Sequence, residues 1–135
     1  MDRSFMAQWN QLQRKLTGTH AGTGWNPNTD VYECEDGLVI RLEVAGVPAD
    51  ALEIQLEEQA LIVRGTRRGP ACDQTKAGIR YRQMEIEYGG FERVIPLPFG
   101  VDGAAARATV QGGLIEIHLP RTPTTQPTRI HIQVP

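Results

Sequence analysis

From Trp25 onward, apolar side chains recur at every second position. Leu38, Ile40, Leu42 and Val44 alternate until Gly46-Val47-Pro48 breaks the run, and Leu52, Ile54 and Leu56 alternate again. Glu57-Glu58-Gln59 then turns the chain into Ala60-Leu61-Ile62-Val63-Arg64. Two more strands are read at Phe91 to Leu97 and at Leu114 to Leu119, the second opened by Gly112-Gly113. Short strands with turn signals roughly every 8–12 residues predict an all-β fold, an antiparallel immunoglobulin-like sandwich. No helix-period segment interrupts them, which excludes a parallel α/β sheet.

The two ends and one internal excursion break this rhythm. Phe5, Trp9, Leu12 and Leu16 fall at offsets of 4, 3 and 4, one face of a short amphipathic helix closed by Gly18. A Thr/Gly-rich run through Gly24 loosens that helix from the strands beyond it, so its stripe either covers the protein's own core or forms a sticky arm. Between Gly65 and Gly78 lies a polar, breaker-rich stretch too long for a hairpin turn, and Ile79-Arg80-Tyr81 reads as a small strand at its far end. After Pro120 a proline-spaced hydrophilic tether leads to Ile130-His131-Ile132-Gln133-Val134. That last segment is either a final strand of the same domain or a detachable strand docking on a partner's sheet edge. The organisation expected is an arm over 1–24, a sandwich over 25–120 and an extended tail over 121–135.

Composition narrows the function classes. The chain has 135 residues, one domain's worth, and its 40% apolar content supports a packed core. A net charge of −2 lacks the basic footprint on which nucleic-acid binders rely. Cys34 and Cys72 form neither a disulfide framework nor a CxxC pair, and reduced thiols are expected. Met1 to Phe5 opens no long apolar leader and no run is long enough to span a bilayer, so no stable membrane insertion and a cytoplasmic address are expected.

Catalytic chemistry finds little support. There is no GxxxxGK[ST] or GxGxxG run, and the only serine is Ser4. His20, His118 and His131 are scattered without metal-ligand spacing, and His118, alternating with Ile117 and Leu119, is expected on a solvent face. No catalytic residue, metal site or cofactor is expected, and the chain reads as no enzyme.

Four motifs in order give a specific likeness. Trp25-Asn26-Pro27-Asn28-Thr29-Asp30-Val31-Tyr32-Glu33 resembles W-x-P-x-x-D-v-x-E, and Glu85 to Pro98 resembles E-R-x-y-G-x-F-x-R-x-i-x-L-P. Ala108 to Ile115 resembles A-x-x-x-n-G-v-L, and Ile130-His131-Ile132 matches a C-terminal I-x-I. Together they resemble the α-crystallin domain of small heat shock proteins of the Hsp20 type, bacterial and plant. Ile86 stands where the family usually has arginine, Gly112 where it has asparagine, and the arm is short, which argues against a very large shell.

The resemblance implies a sandwich of roughly seven to nine strands. It implies strand exchange in a dimer, with the excursion near Ile79, Tyr81 and Glu85 meeting a partner's strand near Val31, and Arg93 supporting the interface or else standing as an outward strand charge. It also implies a groove between Leu52, Ile54 and Leu56 on one side and Ala106, Ala108 and Val110 on the other. Tail anchors Ile130, Ile132 and Val134, in one of two overlapping registers, would enter that groove. The arm residues Phe5, Trp9, Leu12 and Leu16 would bind clients. The function implied is an ATP-independent holdase chaperone that binds non-native proteins and self-associates into dimers and higher oligomers. The alternatives are a p23-type co-chaperone or another protein-interaction sandwich.

Overall fold

The structure, a computed structural model, describes residues 24–70, 78–122 and 129–135. The expected arm helix with Phe5, Trp9, Leu12 and Leu16 lies outside the described residues, as does Cys72. Eight strands are described: β1 Thr29–Cys34, β2 Gly37–Glu43, β3 Glu53–Glu57, β4 Ala60–Arg67, β5 Gly89–Pro96, β6 Arg107–Gln111, β7 Leu114–Pro120 and β8 Arg129–Ile132. They form two four-stranded antiparallel sheets, ordered β1-β2-β7-β6 and β5-β4-β3-β8. The expected β-sandwich is what forms.

Period-two alternation explains the core, because one face of each strand must leave water. In the first sheet Leu38 faces Leu119, Ile40 faces Ile117 and Leu42 faces Ile115, all six fully buried. The second sheet answers with Ile54 opposite Val63 and Leu56 opposite Leu61, which in turn faces Ile95. These side chains form one apolar cluster, closed at one end by Trp25 and Phe91. The β6–β7 hairpin turns on Gly112 and Gly113, whose φ angles of 62° and 80° belong to the tight turn that matches strand twist.

The chain enters the sandwich beside β5. Gly24 makes a parallel bridge to Gly90, and a Cβ on Gly24 would overlap the Gly90 carbonyl oxygen. The Trp25 backbone N–H donates to that oxygen at 3.1 Å, and its indole Nε1 donates to the Gly89 carbonyl at 2.9 Å. The indole meets the Phe91 ring edge to face, centroids 5.3 Å apart. The Arg67 guanidinium stacks 3.7 Å above the Trp25 ring. It also donates through Nε and Nη2 to the Glu87 carbonyl and through Nη1 to the Ala45 carbonyl. One side chain thus ties the chain's entry, the end of the excursion and the turn after β2.

Candidate functional site: a sheet edge, its tail and an exposed excursion

The tail is seated on its own sandwich. β8 pairs antiparallel with β3, setting Ile132 opposite Ile54, His131 opposite Gln55, Ile130 opposite Leu56 and Arg129 opposite Glu57. Ile132 is 9% exposed, and Val134 packs partly buried against the core. Of the two seats expected for this segment, the single chain takes the first: the β3 edge is local and the chain's own tail pairs with it. Side-chain direction explains the seat, since Ile54 and Leu56 continue inward-facing apolar rows that β8 extends by one strand.

All six expected groove residues belong to this apolar region. Ile54, Leu56 and Ala108 are buried, while Leu52, Ala106 and Val110 pack against the core partly buried. The outer face of β3 is polar: Arg64 Nη1 donates to Gln55 Oε1 at 3.3 Å, and Gln55 Nε2 donates to Glu57 Oε1 at 3.1 Å. The edge therefore offers backbone hydrogen bonds, a greasy inner row and a charged rim, the geometry that strand addition uses.

The excursion and β1 form a second surface. Gly78 to Tyr88 has no regular strand, so the expected strand at Ile79 to Tyr81 is absent from the single chain; a strand exists only where another backbone pairs with it. Ile79 is half-buried and Glu85 exposed, while Tyr81 is 42% exposed and Met84 and Ile86 are each 59% exposed. Val31 turns toward the core cluster from β1, which among the described residues is an edge strand paired only with β2. Neither Val31 nor Glu85 is drawn to Ile79 and Tyr81 by a ladder within the chain.

Arg93 does not stand outward. It lies on the inner row of β5 opposite Val63, 8% exposed, and its Nη1 donates to the Pro27 carbonyl at 2.7 Å. Burial pushes its pKa down to about 10, so the guanidinium is still a cation at neutral pH. The arginine joins β5 to the segment leading into β1. His118 does lie on the outer face, but half-buried beside Asp36 and Arg107, a grouping the sequence spacing did not signal.

Residues 30–135 match the Hsp20/alpha crystallin family. The chain belongs to that family. Spore protein SP21 of Stigmatella aurantiaca is 29% identical over 106 residues, a match covering 78% of this chain and 61% of SP21. The crystal structure of hspA from Xanthomonas axonopodis superposes with a TM-score of 0.65 at 28% identity, covering 75% of this chain and 98% of that one. A small heat-shock protein from Xylella fastidiosa, described as having a distinct high order structure, gives a TM-score of 0.65 at 27% identity over 80% of this chain and 96% of its own. The chain is thus a small heat shock protein by family, with the α-crystallin sandwich of its solved neighbours. Among its described residues no helix is long and apolar enough to cross a membrane.

Proposed function

We propose that this small heat shock protein is an ATP-independent holdase that binds partly unfolded proteins and keeps them from aggregating. The observation that carries the reading is the β3 edge covered by a strand of only four residues, Arg129–Ile132. Burial of an isoleucine such as Ile132 is worth roughly 1.5–3 kcal/mol, so the cover is reversible on the scale of thermal stress. An uncovered edge presents a greasy row with free backbone groups, and non-native chains expose the same kind of surface. Binding a non-native state by mass action needs no nucleotide, and the sequence has no phosphate-cradling loop.

The tail that covers its own β3 can cover a sister chain's β3 in the same register, since exchange of an identical element repeats the same contacts. Ile130, Ile132 and Val134 are then intersubunit anchors, and many tails per assembly raise their effective concentration. The exposed excursion with Tyr81, Met84 and Ile86 supplies the strand that a partner's β1 edge accepts, giving an exchanged dimer. The arm residues Phe5, Trp9, Leu12 and Leu16 offer further apolar surface to clients. The exposed free thiol of Cys34 fits a reducing compartment, the cytoplasm. Clients and further copies of the chain are the partners; a net charge of −2 gives no basis for nucleic-acid binding.

The in-chain seat of β8 favours a second reading, a self-contained p23-like interaction module that stays monomeric. One experiment separates the two: light scattering of a heat-denaturing test protein with and without this chain, no nucleotide present, with the mass of the chaperone recorded alongside. Suppressed scattering by an oligomer supports the holdase. A monomer that leaves aggregation unchanged overturns it.

A further inference from the structure

On the outer face of the first sheet, where β1 ends and turns into β2, three different metal-binding side chains converge. The ligand atoms of Cys34, Asp36 and His118 all lie within 4.8 Å of one another. They come from two places: Cys34 and Asp36 from the end of the β1–β2 hairpin, His118 from β7. Strand register brings them together, because Tyr32 pairs with Val39, Val39 with His118 and His118 with Arg107 in one outward row. Cys34 lies one outward step beyond Tyr32, opposite Gly37. At Gly37 a Cβ would overlap the Leu119 carbonyl oxygen and stand 2.8 Å from the Pro120 Cα, so glycine is what lets the hairpin lie this close to β7. The Arg121 N–H, donating to the Asp36 carbonyl at 2.8 Å, holds the turn in place.

We propose that Cys34, Asp36 and His118 bind a borderline divalent cation, Zn²⁺. A thiolate, an imidazole and a carboxylate form a three-ligand zinc set, with water free to take the fourth position. Bonds of roughly 2.0–2.3 Å in a tetrahedron separate ligand atoms by about 3.3–3.8 Å. His118 Nε2 and Asp36 Oδ1 already stand 3.3 Å apart. The exposed Cys34 side chain needs to close by at most about 1.3 Å, since a tetrahedral sulfur stands about 3.5 Å from a nitrogen or oxygen ligand, within the reach of a surface side chain turning about its rotamer bonds. Two anionic ligands balance the cation's charge, and the thiol proton leaves to solvent as the metal binds.

Arg107 is a competitor built into the site. Its Nη2 lies 3.1 Å from His118 Nδ1, and a guanidinium only donates. Without metal, Nδ1 therefore accepts and Nε2 carries the proton toward Asp36. A cation on Nε2 moves the ring proton to Nδ1, which can no longer accept from Arg107, so this exposed side chain must turn away. Bound zinc would fasten the β1–β2 hairpin to β7.

The test titrates the full chain, in a phosphine reductant, with cobalt chloride and then zinc chloride. One Co²⁺ per chain with a thiolate-to-cobalt charge-transfer band, bleached by Zn²⁺, is expected. Cys34→Ser abolishes the band, Cys72→Ser keeps it, and His118→Gln weakens Zn²⁺ binding by about tenfold or more. Arg107→Gln tightens it by about threefold or more through removal of the nearby positive charge, a gain that misfolding cannot mimic. No band, a band that survives Cys34→Ser, or unchanged affinity in His118→Gln overturns the site. Unchanged affinity in Arg107→Gln overturns coordination through His118 Nε2.

Discussion

A guanidinium inside an apolar sandwich needs an acceptor, and Arg93 has the Pro27 carbonyl at 2.7 Å. Arg93→Ala strands that carbonyl and empties part of the inner row, so urea unfolding should show a loss of about 2–3 kcal/mol, the range of a charged hydrogen bond plus packing. The pH behaviour rests on its lowered pKa of about 10. The folded state holds this proton less tightly than the unfolded chain, so the burial penalty is relieved, and stability rises, only as pH climbs above about 10 toward the ordinary guanidinium range. Around neutrality both states are fully charged there. Wild type and Arg93→Met should therefore show parallel stability curves between mildly acidic and mildly basic pH; divergence there would mean that Arg93 is coupled to a group titrating near neutrality. Arg67 works differently, holding backbone carbonyls of Glu87 and Ala45 from a stacked position over Trp25. Arg67→Ala should cost about 1–3 kcal/mol and speed amide exchange at Gly89 and Gly90 before it affects β2 or β7.

Among the elements, strands with an inward row of large apolar residues are readable in the sequence, the edge strand β5 included, and β1 is not. Leu38 to Val44, Leu61 to Arg64 and Leu114 to Leu119 alternate because both neighbours and the facing sheet demand it. β1, with Tyr32, Glu33 and Cys34 exposed, has little apolar pattern and is signalled only by family resemblance, while β6 alternates Ala108 and Val110 with exposed Arg107, Thr109 and Gln111 and owes to the resemblance only its reading as a groove wall. The Ile79 to Tyr81 segment fails as a strand for a related reason: propensity is not pairing, and no backbone in the chain meets it. The I-x-I tail is legible as a strand with alternating anchors, but its seat is not, because sequence does not say whose β3 edge lies within reach. The grouping of Cys34, Asp36 and His118 is hidden in the sequence, since strand register, not spacing, assembles it. For the tail, replacing Ile130 and Ile132 by glycine removes about 1.5–3 kcal/mol of burial at Ile132 alone. Light scattering should then show the assembly shrinking toward dimers; an unchanged mass would mean that the tail serves only its own subunit. Amide exchange should likewise find β8 opening well before β2 and β7, whose inward residues are fully buried.

For the molecule as a whole, the exposed excursion is the element to test. Met84→Lys with Ile86→Lys puts charges on the two most exposed large apolar side chains among its described residues while leaving the core untouched. If this strand is traded between subunits, sedimentation should show dimers falling to monomers at low concentration, with the unfolding midpoint moved little beyond the loss of association. Dimers of undiminished strength would remove the excursion from the interface. Protection of a heat-labile test protein, measured without nucleotide, should fall with assembly if the oligomer is the reservoir of active edges, and rise if freed edges are themselves the binders.

The bridge at Gly24 has a bearing on polarity. It admits the chain along β5, while β8 leaves along the far side of the same sheet, three strand intervals or about 14 Å away. The chain's entry and its final strand thus lie on opposite edges of one sheet. An occupant of the β8 edge therefore leaves the Gly24 edge untouched.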